Sequence, residues 1–140
     1  MTPVLLDTSF LLALVLSDDE LHPRAALWQH DLRVPLVITE YVLVEFVDAL
    51  AAPALRGLAS ETLRLLRADP LVQVVAADPR WLDAGVTLFE SRPDKHWGLT
   101  DCISFAIMQR LGMTEALTYD HHFEQAGFRA LLRGDPPPNA

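Results

Sequence analysis

The sequence predicts a three-layer α/β/α domain built on a mostly parallel sheet of four to five strands, and three observations carry that prediction. Short apolar runs at Val4-Leu5-Leu6, Leu36-Val37-Ile38, Val72-Gln73-Val74-Val75 and Glu115 to Tyr119 alternate with helical patterns along the whole chain. Strands separated by helices must be joined by crossovers, which implies parallel pairing with helices on both faces. The first two runs lack polar alternation, as expected of strands buried on both sides. With 140 residues, 51% of them hydrophobic, the chain is large enough for one core and too apolar for disorder.

Taken in order, Val4-Leu5-Leu6 is the first strand and Asp7 follows it directly. Thr8 or Ser9 is placed to cap a helix from Phe10 to Leu16. A second helix is expected from Pro23 to Arg33, with Ala26, Leu27 and His30 on its inner face. After the strand Leu36 to Ile38, Thr39 caps a helix from Glu40 to Ala51 that is apolar nearly all round from Tyr41 to Val47 except at Glu45. A lone carboxylate there is costly unless paired, protonated or bound to a cation, so a salt bridge to an arginine and a solvated edge shared with Asp48 both stay open.

Pro53 ends that helix, and an amphipathic one follows from Leu55 to Ala68. Its expected inner stripe is Leu55, Leu58, Thr62, Leu65 and Leu66, with Arg56, Ser60, Arg64 and Arg67 outside. Asp78 and Pro79 cap and start a helix running to Ser91. After a loop, Thr100 is expected to cap an apolar helix whose first turn holds Asp101, where the helix dipole favours negative charge. Gly112 ends it. The strand Glu115 to Tyr119 leads to Asp120, repeating the order strand then acid. A short helix from His121 to Gln125, a turn at Gly127 and a last strand from Phe128 to Leu132 complete the domain, assigned to residues 1–133. The Pro-rich residues 134–140 are expected to form a frayed tail.

Composition narrows the chemistry. A net charge of −8 argues against holding nucleic acid by a broad basic surface, but not against a nuclease whose carboxylates bind a cation. Ten of the eleven basic residues are arginine, whose planar fork suits phosphate. An exposed stripe of Arg56, Arg64 and Arg67 is therefore a weak candidate for tracking a phosphate backbone, against the plainer reading of a solvated helix face. The single cysteine, Cys102, lies inside an apolar helix and is read as an inert buried thiol. No uncharged apolar run is long enough to span a membrane and the N-terminus has no basic signal region, so a cytoplasmic protein is expected.

A parallel sheet with right-handed crossovers brings its strand ends to one edge, where ligands bind. Asp7 and Asp120 from strand ends, Asp101 from a helix start and Glu45 from its helix can converge there. Three or four ionised acids in one place imply a divalent cation. Oxygen ligands without a His or Cys set at metal-binding spacing favour Mg²⁺ or Mn²⁺ over zinc.

Leu6-Asp7-Thr8-Ser9, the isolated Glu45, Leu99 to Phe105 around Asp101, and Thr118-Tyr119-Asp120-His121-His122-Phe123 with Gly127-Phe128 resemble the four acidic motifs of the PIN domain, in detail those of VapC toxins. The resemblance covers Val4 to about Leu132. It implies a Mg²⁺- or Mn²⁺-dependent endoribonuclease with Asp7 and Asp101 as the firmest metal ligands and Glu45 and Asp120 completing the catalytic site. It further implies an RNA substrate, a cognate VapB-type antitoxin and a homodimer. Ser9, Thr8, Thr100 and Ser104 are expected to orient ligands or water from behind the acids. His121, His122 and Trp97 are read as a surface turn and a lid over the core rather than RNA contacts. Two rivals remain: a phosphatase or receiver domain using Asp7 as phosphoacceptor, and a non-catalytic module whose acids hold a structural cation.

Overall fold

A computed structural model describes residues 2–138. Its sheet has five strands, β1 (Val4–Leu6), β2 (Leu36–Thr39), β3 (Val72–Val75), β4 (Glu115–Leu117) and β5 (Arg129–Ala130), in the order β3-β2-β1-β4-β5. Every pairing is parallel. The chain moves outward from β1 to β3 and then returns to place β4 on the other side of β1, so the strand order reverses between β1 and β4. That switch point is where an open α/β sheet leaves a crevice at its carboxyl edge.

Residues alternate between the two faces of the sheet, and each face has its own core. Val4, Leu6, Ile38 and Leu117 pack under α1 (Thr8–Val15), α2 (His22–Asp31), α3 (Glu40–Ala49) and α4 (Arg56–Ala68). Leu5, Val37, Ala116 and Ala130 pack under α5 (Pro79–Ser91), α6 (Leu99–Arg110) and α7 (His121–Gln125). In the second core Phe105 meets Trp97 and Phe123 edge to face, at centroid distances of 5.1 and 4.8 Å. Aromatic pairs favour that geometry because a ring edge is positive and a ring face negative. Trp97, 5% exposed and donating from Nε1 to Gln125 Oε1, is spent on this core. The α5–α6 contact depends on Gly85, where a Cβ would lie 2.4 Å from Ile103 Cγ1.

Several expected details differ. In α2 the buried residues are Ala25 and Trp28, while Leu27 and His30 face out. Trp28 sets that rotation: its ring is buried and Nε1 donates to Gly134 O at 2.8 Å. The inner side of α4 runs through Leu55, Ala59, Leu63 and Leu66, leaving Leu58 and Leu65 exposed. β4 stops at Leu117, and β5 spans two residues before a 3-10 turn at Leu131–Arg133 whose leucines are buried. The tail expected to fray from residue 134 begins anchored, because Arg24 also holds Asp135 at 2.9 Å. Asn139 and Ala140 lie outside the described residues.

Candidate metal centre

β1 and β4 pair with Leu6 opposite Leu117, and Asp7 N donates to Leu117 O at 3.2 Å, so Asp7 and Thr118 leave the sheet side by side. Asp7 occupies the cap position of α1 without a side-chain cap bond, which corrects the expectation that Thr8 or Ser9 caps this helix. Asp7 is 5% exposed, and its Oδ2 accepts from Thr118 Oγ1 at 2.8 Å and from Ser9 Oγ at 3.1 Å. Burial pushes its pKa above the ordinary range and the Glu45 charge adds to that, while the hydroxyl bonds oppose it. Thr118 Oγ1 also accepts from Asp120 N at 3.0 Å, linking two of the acids.

Glu45 lies on the exposed side of α3, beside Val44 at 60% exposure, which corrects the expectation of an acid surrounded by buried helix. A helix apolar nearly all round here has one face in the core (Val42, Leu43, Phe46) and one outside. The Glu45 carboxylate is nevertheless aimed at the sheet edge, since Thr8 Oγ1 donates to its Oε1 at 2.6 Å. No arginine salt bridge holds it among the described residues, and Glu45 and Asp48 are both exposed, as the solvated-edge reading expects.

Asp101 is the third residue of α6, because that helix begins at Leu99 with Gly98 as its cap. Thr100 is therefore not the cap. Asp101 fills that role from inside the first turn, its Oδ2 accepting from Gly98 N at 3.4 Å. Burial, then the charges of Asp7 and Asp120, push its pKa up to about 7. One turn on, Ser104 is 1% exposed and its Oγ has no hydrogen-bond partner. Cys102, fully buried, has its thiol pushed up by burial, in keeping with an inert role.

Asp120 caps α7, its Oδ1 accepting from His122 N at 2.9 Å. The turn it starts brings in a residue the sequence reading set aside. His122 Nδ1 lies 3.2 Å from Asp120 Oδ1 and 3.7 Å from Asp101 Oδ2, bridging the two acids. Beside the acids there are thus nitrogen atoms within reach: Asp120, His121 and His122 each offer a ligand atom within 4.8 Å of the others. Thr118 was missed as well. A signal for Thr118 was present, since it precedes Asp120 by two residues as Asp7 precedes Ser9, whereas His122 reaches Asp101 only through the packing of α7 on α6.

These residues fit a divalent cation. Among the described residues no lysine or arginine pairs with Asp7, Glu45, Asp101 or Asp120, so four acids face one edge without a fixed positive partner. The arginines of α4 are not drawn in. Arg64 is paired to Glu61 at 2.6 Å and Arg56 donates to Ala51 O at 3.0 Å, while Arg67 stands beside Asp48 and Val44 on the outer rim of α3.

A sequence model described as PIN domain matches residues 4–129. Among solved structures the chain is similar to VapC20 of Mycobacterium tuberculosis, described as a Sarcin-Ricin loop cleaving toxin, with a TM-score of 0.84, 22% identity and coverage of 91% of this chain and 98% of that one. It is also similar to FitAcB from Neisseria gonorrhoeae, with a TM-score of 0.64, 16% identity and coverage of 91% and 94%. Comparison with curated protein sequences gives no match.

Proposed function

Because the chain belongs to the PIN domain family, we propose that it is a divalent-metal-dependent endoribonuclease and the toxin of a toxin–antitoxin pair. The observation that supports this best is the gathering of Asp7, Asp101 and Asp120 at the β1–β4 switch point without a lysine or arginine partner, where burial and then the charges of Asp7 and Asp120 push Asp101 up to about 7. A site left to itself relieves such repulsion by taking a proton, and a divalent cation relieves it with the acids ionised. When bound, Mg²⁺ or Mn²⁺ supplies Lewis-acid chemistry, acidifying water and offsetting the charge that builds on a phosphodiester.

The chain's own residues then divide the work. Asp7 and Asp101 hold the cation, and Ser9 and Thr118 fix the Asp7 carboxylate by bonding one of its oxygens. Glu45, turned inward by Thr8 and reached by solvent, is placed to take the proton of the attacking water. Asp120 completes the negative wall. Ser104, buried with a free hydroxyl, is a place to anchor an ordered water behind Asp101. Arg67 and the rim of α4 are the proposed approach for the RNA backbone.

An antitoxin of the VapB kind and a second copy of the chain are the proposed partners. Val44, 60% exposed, forms with Leu43, Val47 and Leu63 an apolar groove between α3 and α4 that a partner would cover. None of the described helices is long and apolar enough to cross a membrane. Incubating the purified protein with cellular RNA and Mn²⁺ tests the activity. Fragments that appear only with metal and vanish for Asp7→Asn are expected. A stable phosphate on Asp7 after exposure to a phosphodonor, without RNA cleavage, would point to a phosphoacceptor instead.

A further inference from the structure

We infer that His122 is itself a ligand of the cation, so that the centre is a mixed nitrogen and oxygen site that prefers first-row transition ions to Mg²⁺. The inference rests on the metal-dependent reading above and deepens it. His122 Nδ1 is shielded from solvent and has no hydrogen-bond partner, although Asp120 Oδ1 is 3.2 Å and Asp101 Oδ2 3.7 Å away. The 3.2 Å contact would ordinarily be a hydrogen bond but does not have the geometry of one, and 3.7 Å is too long for one. His122 Nδ1 thus stands between one oxygen of Asp120 and one of Asp101 without bonding either, the position of a ligand that joins the two carboxylates on one ion. Neighbouring ligands of an octahedral ion with bonds of about 2.1 Å lie roughly 3 Å apart, close to the spacing seen here.

The local fold explains why this nitrogen arrives there. Asp120 caps α7 and accepts from the His122 backbone, which fixes the imidazole in the first turn of a five-residue helix, beside Asp101 at the start of α6. His121 does not share the position: it approaches Asp120 alone, at 3.8 Å, and its side chain is 59% exposed. A neutral imidazole with its lone pair on Nδ1 is a good ligand for transition ions, whereas Mg²⁺ favours an all-oxygen shell.

The test uses the full chain and the metals alone. Pulsed electron paramagnetic resonance of bound Mn²⁺ is expected to show coupling to one imidazole ¹⁴N, which shifts on ¹⁵N-histidine labelling and is absent in His122→Phe. Titration calorimetry should give a Mn²⁺ affinity that falls about 10- to 100-fold in His122→Ala, with a fall in Mg²⁺ affinity of less than about threefold and no change in His121→Ala. Thermal melts identify a variant that has lost its fold, and the wild-type spectrum stands without any variant. Bound Mn²⁺ with no ¹⁴N coupling overturns the assignment of His122 and leaves the nuclease reading standing. No Mn²⁺ binding at all overturns both.

Discussion

Replacing Asp101 with asparagine should abolish the proposed activity and at the same time stabilise the metal-free protein. In the folded chain the Asp101 side chain is 17% exposed and its pKa is pushed up to about 7 from an ordinary 3.8, first by burial and then by the charges of Asp7 and Asp120. That gap corresponds to about 4 kcal/mol of destabilisation once the group is ionised. Asparagine avoids the charge but keeps a buried polar group, so about 2 kcal/mol, or roughly 8 °C in Tm, is a fair expectation at pH 8. The sign with pH follows from linkage. Between about pH 4 and 7 the folded protein holds a proton that the unfolded chain has lost, so wild type loses stability as pH rises through that window. The advantage of Asp101→Asn should therefore be near zero at pH 4 and complete above about pH 8. Scanning calorimetry at both pH values without metal measures it, and added Mn²⁺ should raise the Tm of wild type far more than that of the variant. A variant less stable than wild type at pH 8, or equally stabilised at both pH values, would refute the reasoning.

Three further outcomes follow from the same geometry. Thr118→Val removes the 2.8 Å hydroxyl bond to Asp7 and leaves a buried carboxylate poorly satisfied. It should cost about 1–3 kcal/mol in denaturant melts and weaken Mn²⁺ binding in titration calorimetry. Gly85→Ala places a Cβ 2.4 Å from Ile103 Cγ1, so α5 and α6 must separate. A loss of at least about 1–3 kcal/mol is expected in urea unfolding, while residual folded protein should bind Mn²⁺ normally. Replacing Arg56, Arg64 and Arg67 together with alanine should reduce the salt dependence of RNA binding, read by fluorescence anisotropy across an ionic-strength series, with metal affinity unchanged.

Asp7 was legible because a buried strand ending in an acid before a helix start has few placements in a parallel sheet, and the β1–β4 pairing puts it at the switch point. Asp101 was legible for its position in a helix first turn, although Thr100 was mistaken for the cap. Helix capping depends on backbone angles, and Gly98 with an extended backbone takes that place while Asp101 closes the turn from its third position. Glu45 was found through the wrong cause. Its helix is apolar all round because Val44 and its neighbours are left uncovered, so the acid is exposed and owes its orientation to Thr8, thirty-seven residues away. Long-range partners of that kind leave no periodic trace. The same holds for His122, which periodicity could only mark as part of a surface turn and which the packing of α7 against α6 carries to two carboxylates. In α2 the inner face was displaced by one position, because the anchoring of Trp28 to Gly134 joins segments far apart in the chain.

The central claim is that these acids hold a cation that turns water against an RNA phosphodiester, and the chemistry of the cut ends tests it most directly. Wild-type protein with Mn²⁺ should leave 5′-phosphate and 3′-hydroxyl ends on RNA, the products when water attacks the phosphorus and the 3′-oxygen leaves. Cleavage should stop with EDTA and with Asp7→Asn. Fragments ending in 2′,3′-cyclic phosphate, or cleavage that persists with EDTA or in Asp7→Asn, would contradict it.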